Sequence, residues 1–431
     1  MHIHFVGIGG AGIGPLALVA YKAGYTVSGS DIQNSSYIDH LMKQGIKEIH
    51  IGPSEQIIND LHKQSPIDWV VYSSALVIVE PNPPFINFCK DNGIKCTKRA
   101  DFINQLLKGS NQKMIAVAGT HGKTTTTAML VWLFKHFKMP LSYILPAKVS
   151  YGDMGDFDSA SQFFIYEADE FDRNFLSFAP GLSIITGVSW DHHEIYPTLE
   201  EYKQAFNEFI DKSEQVIIWR SDAAYLAVNN SKLIIQNSDD PMVEQIKLKG
   251  LYNRRDAWLA ITAAAKVLNK PASQLVDIIN QFPGLSRRME ELVPNLYSDY
   301  AHTPEKIRAA MSAALEIAKD KNQSVVVIYE PLTNRRQVHM LKLYQDCFKG
   351  AKQVYWLPSY LARETPGERI IEPQELISNL SDPAIANASS LGPELKTAIA
   401  KHLAEGDMVV GMAGGGNNSL DDWLRDQFST S

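Results

Sequence analysis

The chain has 431 residues, of which 45% are hydrophobic and 21% charged, and its formal net charge is −7 at pH 7. This length fills about three domains of ordinary size. The net negative charge argues against sequence-independent binding to nucleic acid or to an acidic membrane surface. Cys89, Cys96 and Cys347 have no regular spacing, which indicates reduced thiols. Without a signal-peptide pattern or an apolar run of membrane length, the sequence predicts a cytoplasmic protein.

Strand-like and helix-like segments alternate along the chain, which favours an α/β fold with parallel sheets flanked by helices. The polar stretch 108–113 has the composition of a linker, and a second break falls around residues 290–295. We therefore predict three domains, over residues 1–108, 109–291 and 292–431.

A glycine-rich turn at residues 7–12 follows the first strand, and a helix to about Lys22 and a strand ending in Ser30-Asp31 come next. This is the spacing of a dinucleotide fingerprint, and alone it would suggest a nicotinamide-dependent oxidoreductase. A glycine turn at a helix N-terminus binds any diphosphate, however, including that of a UDP-sugar. The pattern favours UDP because a second phosphate loop follows downstream. Glycines that serve only tight packing remain an alternative.

The second phosphate loop joins an apolar strand at residues 114–118 to a helix that begins with four threonines. Backbone N–H groups and the helix dipole attract an anion there, and Lys123 adds a charge and Thr124 a hydroxyl for Mg²⁺. The match to GxxxxGK(S/T) is incomplete because Val117 occupies the first glycine position. We expect Lys123 to be an exposed loop lysine. The predicted ATP contacts are Gly119, Thr120, His121, Gly122, Lys123, Thr124 and Thr125.

Polar clusters follow two later strands. The strand at 163–166 runs into four acids within residues 167–172, and the strand at 182–188 is followed by Asp191-His192-His193-Glu194. Because the carboxyl ends of parallel strands open into one crevice, we expect the clusters to meet and to hold Mg²⁺ opposite the phosphate loop. A histidine near an acid can also be purely structural, and His193 and Glu194 are interpreted in that way.

Taken in order, these motifs resemble those of the Mur ligases, and residues 72–75 and 98–101 resemble the UDP-binding domain of that family. The resemblance implies the three-domain Mur ligase architecture: a Rossmann-like UDP-binding domain, a P-loop ATPase-like central domain and a Rossmann-like C-terminal domain. Arg99 stays open between a functional role and a helix-capping or surface role. The implied UDP-substrate contacts are Gly9, Gly10, Ala11, Gly12, Ser30, Asp31 and Ser74.

In the central segment the resemblance assigns catalysis to Lys123, Glu167 and His192, with Thr124, Glu167 and His192 as the metal ligands. Several Mur ligases carry a carbamylated lysine on the next helix, where this chain has Phe206. Lys203 is one helical turn out of place, so we predict no carbamate.

Further ATP contacts are implied by three later motifs at residues 250–257, 284–290 and 299–304. Asp256 replaces the second asparagine of the first of these motifs, and its role stays open. The glycine-rich turn at 414–416 has no assigned ligand. The implied ATP contacts are Asn253, Arg287, Asp299 and His302.

The loop after the strand at 324–329 helps to receive the amino substrate in Mur ligases. This chain has Leu332-Thr333 where the L-alanine-adding branch has His-Arg, and Arg336 is left to bind the substrate carboxylate.

The resemblance implies an ATP-dependent ligase of peptidoglycan precursor synthesis, using Mg²⁺ and acting as a monomer or homodimer. It would join L-alanine to the lactyl carboxylate of UDP-N-acetylmuramate through an acyl phosphate. Phe171 and the run 191–197 favour instead a branch that attaches a whole tripeptide in cell-wall recycling. A nicotinamide-dependent oxidoreductase is the alternative of another class, but it leaves the phosphate loop unexplained.

Overall fold

The structure, a computed structural model, describes residues 1–193, 195–361, 369–416 and 418–428. It forms two compact units. The first unit comprises Met1–Ile246 and Arg255–Pro283, and the second unit comprises Lys247–Arg254 and Gly284–Ser431. Mostly parallel sheets with intervening helices confirm the α/β fold class. Within the described ranges, no helix is long and apolar enough to cross a membrane.

The first sheet lies in the first unit, and all its strands run parallel in the order β3-β2-β1-β4-β5. Its strands are β1 (His2–Val6), β2 (Thr26–Asp31), β3 (Ile49–Ile51), β4 (Trp69–Tyr72) and β5 (Lys95–Lys98). The helices of this segment are α1 (Gly14–Lys22), α2 (Ser36–Lys43), α3 (Ser54–Gln64), α4 (Ser74–Val79), α5 (Pro84–Asp91) and α6 (Arg99–Ser110). Phe102 of α6 packs edge-on against Phe5 and Trp69, which fixes α6 on the sheet.

The second sheet belongs to the same unit, and its order is β12-β11-β10-β6-β9-β7-β8. Its strands are β6 (Lys113–Ala118), β7 (Ser142–Ile144), β8 (Gly155–Asp156), β9 (Phe163–Glu167), β10 (Leu182–Ile185), β11 (Val216–Trp219) and β12 (Leu233–Gln236). The helices that follow β6 along the chain are α7 (Lys123–His136), α8 (Leu199–Lys212), α9 (Arg220–Leu226), α10 (Pro241–Glu244), α11 (Leu251–Leu268) and α12 (Ala272–Ile279). Strands β9 and β10 flank β6 on either side and run parallel to it, so the segments that leave all three strands meet at one edge.

The third sheet forms the second unit in the order β13-β14-β18-β15-β16-β17, with only the β13–β14 pair antiparallel among its described strands. Its strands are β13 (Glu290–Val293), β14 (Leu296–Asp299), β15 (Val325–Glu330), β16 (Ala351–Trp356), β17 (Ala386–Ala388) and β18 (Met408–Ala413). Its helices are α13 (Pro304–Lys321), α14 (Asn334–Met340), α15 (Pro373–Ile377), α16 (Pro393–Ala404) and α17 (Leu420–Phe428). The central strands β15 and β18 are buried on both faces, which explains their continuous apolar sequence.

Two local expectations differ from the structure. Helix α6 continues through Ser110, and only Asn111 and Gln112 separate it from β6, so the first half of the polar stretch is helical. Asn111 ends the helix in a left-handed conformation (φ 56°), which asparagine tolerates well. Strand β10 stops at Ile185, three residues earlier than expected, because the segment that begins at Thr186 bonds to the phosphate loop.

Candidate active site

The phosphate loop, residues 119–125, leaves β6 at the centre of the second sheet and enters α7. Gly119 has φ 136° and Gly122 has φ 79°, both in the region that favours glycine. A Cβ on Gly119 would overlap the side chain of Thr186, and a Cβ on Gly122 would lie 2.5 Å from Oδ1 of Asp256. The two glycines therefore allow neighbouring segments to pack directly on the loop.

The segment that leaves β10 anchors this loop. The N–H of Thr120 donates to Gly187 O at 2.7 Å, and its hydroxyl donates to Ser189 O at 2.8 Å. The same hydroxyl lies 2.7 Å from the Tyr202 hydroxyl, and Nε2 of His121 lies 3.0 Å from Oγ of Ser189. Thr120 and His121 thus position the loop through their side chains.

The side chain of Lys123 is largely buried, with only 12% of it exposed, which corrects the expectation of an exposed loop lysine. Its Nζ donates to Oε2 of Glu170 at 2.6 Å and to Gly119 O at 2.6 Å. Burial alone would lower the pKa of Lys123, but the charges of Glu170 and Asp169 raise it above its ordinary value. The amine therefore stays protonated, as a phosphate ligand requires.

Glu170 connects the two polar clusters that follow β9 and β10. Its side chain is 1% exposed, and its Oε1 lies 3.5 Å from Nε2 of His192. Its backbone carbonyl accepts a hydrogen bond from the Tyr196 hydroxyl at 2.6 Å. Burial would raise the pKa of Glu170, but Lys123 and His192 together lower it well below its ordinary value. Residues of the two clusters therefore lie close together within the first unit, as the sequence predicts.

Glu167 is the last residue of β9 and lies opposite Val117 of β6 in the sheet register. Its carboxylate acts electrostatically on Lys123. Thr124 lies in the first turn of α7, and His192 is held in a left-handed conformation with φ 55°. Mg²⁺ prefers oxygen ligands, which the Glu167 carboxylate and the Thr124 hydroxyl provide, and His192 enters the set through the family resemblance. The donor set present here therefore fits a magnesium site.

The remaining threonines of α7 have structural roles. Thr126 and Thr127 are fully buried, and the Thr127 hydroxyl donates to Lys123 O at 2.8 Å. Thr125, a predicted ATP contact, is 7% exposed.

Phe206, the position compared above with the carbamylated lysine of other Mur ligases, lies on α8 and is completely buried against Phe175.

The glycine-rich turn of the first sheet is held by Asp31. The N–H of Gly9 donates to Oδ2 of Asp31 at 2.8 Å, and Ser35 Oγ donates to Gly9 O at 2.9 Å. A Cβ on Gly9 would lie 2.9 Å from Oδ2 of Asp31 and 2.8 Å from Oγ of Ser35, so only glycine fits there. Gly9, Gly10, Ala11, Gly12 and Asp31 are thus brought together at the N-terminus of α1.

Ser30 and Ser74 are more fully buried than is usual for side chains that contact a ligand. Ser30 is fully buried, with its hydroxyl 3.0 Å from Nε2 of His4 and 3.0 Å from Oγ of Ser54. Ser74 is 4% exposed and begins α4. Burial lowers the pKa of His4 to about 3, so this polar network is neutral.

Three of the residues predicted to contact ATP lie together in the second unit. Nη2 of Arg287 donates to Ala413 O and Gly415 O, each at 3.0 Å, and its guanidinium lies over the Tyr300 ring. Oδ2 of Asp299 accepts the Met289 N–H at 2.8 Å, and burial raises the pKa of Asp299 to about 6. His302 is 3% exposed, and its Nδ1 lies 3.0 Å from Tyr300 O.

Asn253 also belongs to the second unit, where its Nδ2 donates to Lys249 O at 2.7 Å. Arg336, the predicted amino-substrate ligand, lies on α14. Burial and the positive charges of Lys306 and Arg336 lower the pKa of His302 well below its ordinary value, so the imidazole is neutral. Leu332 forms an isolated parallel β-bridge with Tyr360, and the N–H of Thr333 donates to Tyr360 O at 3.1 Å, so the backbone of this loop is held in place.

Sequence reasoning missed Glu170 and Asp256 as members of the site. In the sequence Glu170 is one of four acids within six residues, and no local pattern distinguishes it from the other three. Its neighbour Phe171 also lies at the site, with its ring 5.2 Å from the His192 ring. Asp256 lies 133 residues after Lys123 in the chain, a separation that no local pattern bridges. Only the packing of α11 against the loop reveals its position over Gly122.

A strand-loop-helix phosphate cradle with acids at the end of the neighbouring strand, together with a separate glycine-rich turn in the same unit, is the arrangement of a nucleotide-binding enzyme. Residues 2–111 match the family described as Mur ligase family, catalytic domain, and residues 117–257 match the Mur ligase middle domain. The two matches together cover more than half of the chain. The chain belongs to the Mur ligase family, which confirms the resemblance seen in the sequence.

Relatives extend the similarity along the chain. The UDP-N-acetylmuramate--L-alanine ligase of Rickettsia africae is 27% identical, over 99% of this chain and 95% of its own length. The enzyme of the same name from Clostridium perfringens is 29% identical, over 84% of each chain. Among solved structures, UDP-N-acetylmuramate-alanine ligase from Thermotoga maritima has a TM-score of 0.76 at 23% identity, covering 99% of this chain and 98% of its own. A murein peptide ligase from Psychrobacter arcticus has a TM-score of 0.65 at 22% identity, covering 99% of both chains. These two structures share the overall fold of this chain.

Proposed function

We propose that this protein is an ATP-dependent ligase that joins L-alanine to the lactyl carboxylate of UDP-N-acetylmuramate. One observation carries the proposal: Lys123 of the phosphate loop and His192 of the second polar cluster meet on the same buried carboxylate, Glu170. This arrangement sets a phosphate cradle beside candidate metal ligands in one unit. The names of the relatives that match along most of the chain supply the substrates.

The chemistry begins with a carboxylate, which is a poor electrophile. Its oxygen attacks the γ-phosphorus of ATP, ADP leaves, and an acyl phosphate forms. The amine nitrogen then attacks the carbonyl carbon, the carbon–oxygen bond to phosphate breaks, and the amine loses a proton as the amide forms. Side chains of the protein remain unmodified throughout, so the enzyme has to supply charge neutralisation and positioning.

Lys123 would neutralise phosphate oxygens, helped by the N–H groups at the start of α7. Thr124, Glu167 and His192 would hold Mg²⁺, which when bound supplies further neutralisation of the phosphates. Glu170 keeps Lys123 and His192 oriented through its two oxygens. The glycine-rich turn at 7–12 would receive the diphosphate of the UDP-sugar, and Ser30 and Ser74 remain proposed contacts of the same substrate although both are buried.

In the second unit, Asn253, Arg287, Asp299 and His302 are proposed ATP contacts, and Arg336 is the proposed ligand of the amino substrate's carboxylate. Leu332 and Thr333 carry no charge, and the choice of Arg336 rests on its match to an arginine of the family's loop. With Cys89, Cys96 and Cys347 all as free thiols, we propose that the enzyme works in the reducing cytoplasm.

The test is ATP-dependent phosphate release with UDP-N-acetylmuramate and each of four amines: L-alanine, glycine, L-serine and the cell-wall tripeptide. We expect L-alanine to give the highest kcat/KM, with ADP and a UDP-N-acetylmuramoyl amide as co-products. A preference for the tripeptide would reassign the enzyme to the recycling branch. Failure of every amine to support phosphate release, or oxidation of NADH by a 2-keto acid in the presence of the protein, would refute the ligase assignment.

A further inference from the structure

The side chain of Arg99 lies against the glycine-rich turn of the first sheet. Arg99 begins α6, directly after β5, and only 13% of its side chain is exposed. A Cβ on Gly12 would overlap Nη1 of Arg99 and lie 3.4 Å from its Cζ. The guanidinium is therefore packed on Gly12, which is neither a helix cap nor a surface position.

Two residues on the segment after β9 hold this guanidinium in place. With the Asn174 amide turned so that its oxygen faces Arg99, that oxygen accepts hydrogen bonds from Nε and Nη2, both at 2.8 Å. Oδ2 of Asp169 lies 3.7 Å from Nη2. Nε and Nη2 therefore already have an acceptor within the protein, whereas Nη1 donates to no acceptor within the described ranges.

The turn itself presents further donors at the same place. The N–H groups of Gly9 and Gly10 are used, by Asp31 and by Gly7 O respectively. The N–H groups of Ala11 and Gly12 have no acceptor in the part of the chain that the structure describes. They stand at the N-terminus of the nine-residue helix α1, where the helix dipole favours an anion.

We propose that Arg99 binds an oxygen of the substrate's diphosphate above Gly12, together with the N–H groups of Ala11 and Gly12. This inference rests on the proposed function and adds a substrate-binding residue to it. A guanidinium suits the paired oxygens of a diphosphate, and its charge offsets one of the two negative charges that the turn must accept. Asp169 and Asn174 position Arg99, and they link the diphosphate subsite to the acidic segment that carries Glu170.

The test is calorimetric binding of uridine, UDP and UDP-N-acetylglucosamine to Arg99→Ala and to the unchanged protein. Loss of a charge-assisted hydrogen bond should weaken UDP and the UDP-sugar about 10- to 100-fold and leave uridine unchanged. Lys98→Ala is the matched control, because it removes the adjacent, half-exposed cation that pairs with Asp172, and its UDP affinity should equal that of the unchanged protein. Equal weakening of uridine and UDP by Arg99→Ala would show a merely structural role and overturn the proposal.

Gly12→Ala provides an independent second test. Gly12 does not have a positive φ, so alanine can adopt its backbone, but the added methyl displaces Nη1 of Arg99. We expect Gly12→Ala to weaken UDP as much as Arg99→Ala does, and the double variant to bind no worse than either single one. Additive losses would mean that Arg99 does not act at Gly12.

Binding measurements with the same uridine nucleotides and with UDP-N-acetylmuramate distinguish failure of this inference from failure of the proposed function. If the unchanged protein binds none of the uridine nucleotides, the proposed function fails. If it binds them and Arg99→Ala binds them equally well, only the role of Arg99 fails. If Arg99→Ala weakens UDP-N-acetylmuramate but not UDP, Arg99 binds the lactyl carboxylate and the diphosphate assignment is overturned.

Discussion

Nζ of Lys123 donates to Oε2 of Glu170 at 2.6 Å, and the two side chains are only 12% and 1% exposed. The cation of the phosphate loop therefore has an internal carboxylate partner that lies on the segment after β9. A phosphate group that enters the loop has to share Lys123 with Glu170. The strength of this pair consequently affects both the folding of the first unit and its affinity for ATP.

The first prediction concerns the stability of this pair. Removing one partner of a buried ion pair leaves an uncompensated charge and costs about 3–5 kcal/mol. We expect Lys123→Met and Glu170→Gln each to lower the free energy of unfolding by about this amount, and the double variant to lose less than the sum. Urea denaturation of the three variants gives the coupling energy. Additivity within about 0.5 kcal/mol would show that the two residues do not interact.

The second prediction concerns catalysis by Lys123. If its ammonium stabilises the transferring phosphate, Lys123→Ala should lower kcat for phosphate release by at least about 10²-fold, by analogy with removal of one preorganised charge stabiliser. Because this lysine is buried, the activity has to be measured at a temperature where circular dichroism shows the variant to be folded. Lys113→Ala, at the exposed start of β6, is the matched control and should keep full activity. Normal phosphate release by folded Lys123→Ala would remove the loop from the mechanism.

Much of the architecture was predictable because its signals are local. The alternation of strands and helices, the glycine turn before α1 and the strand-loop-helix around Lys123 all depend on residues close together in the chain. The meeting of the clusters after β9 and β10 followed from a general property of parallel sheets. These features could be inferred without knowing any long-range contact.

The partners of individual side chains could not be predicted. Lys123 has the sequence context of an exposed loop residue, and its burial depends on Glu170, 47 residues further along the chain. Arg99 and Gly12 are far apart in sequence, and nothing in either motif indicates that one packs on the other. Such pairings arise from the packing of whole elements, which local patterns do not encode.

The third prediction concerns the carbamylated lysine that this chain is expected to lack. Phe206, the position that the sequence resemblance assigns to a carbamylated lysine, is fully buried, and Nζ of Lys203 lies 4.3 Å from the centre of the Tyr225 ring. We therefore expect activity to be indifferent to added bicarbonate, and Lys203→Ala to remain active. Phosphate release with and without bicarbonate measures both. Loss of activity in Lys203→Ala with rescue by bicarbonate would place the carbamate on Lys203.

The fourth prediction concerns pH and Glu330, at the end of β15. Its two carboxylate oxygens accept the Leu420 N–H, and burial raises the pKa of Glu330 to about 7. Between its ordinary pKa of 4.5 and about 7, the folded state binds more protons than the unfolded state, so this group makes the protein less stable as pH rises.

Glu330→Gln keeps an acceptor oxygen for Leu420 and removes the ionisation. Relative to the unchanged protein, it should gain up to about 3 kcal/mol of unfolding free energy between pH 4.5 and pH 7, and nothing below that range. Thermal denaturation at several pH values measures the difference. Glu394→Gln, an exposed position on α16, is the control that should show no such trend. A difference that is constant with pH would show that Glu330 ionises normally.

The last prediction concerns selection of the amino substrate. Arg336 lies on α14 close enough to His302 to depress its pKa, while Leu332 and Thr333 of the preceding loop carry no charge. If Arg336 binds the carboxylate of the incoming amino acid, Arg336→Ala should raise the amine KM by an amount equivalent to about 1.5–3 kcal/mol, the value of a charge-assisted hydrogen bond. The KM values for ATP and UDP-N-acetylmuramate should stay nearly the same. Lys342→Ala removes an exposed cation from the segment just after α14 and should leave all three values unchanged. An unchanged amine KM in Arg336→Ala would place the anchor elsewhere, and it would leave the ATP chemistry and the UDP subsite intact.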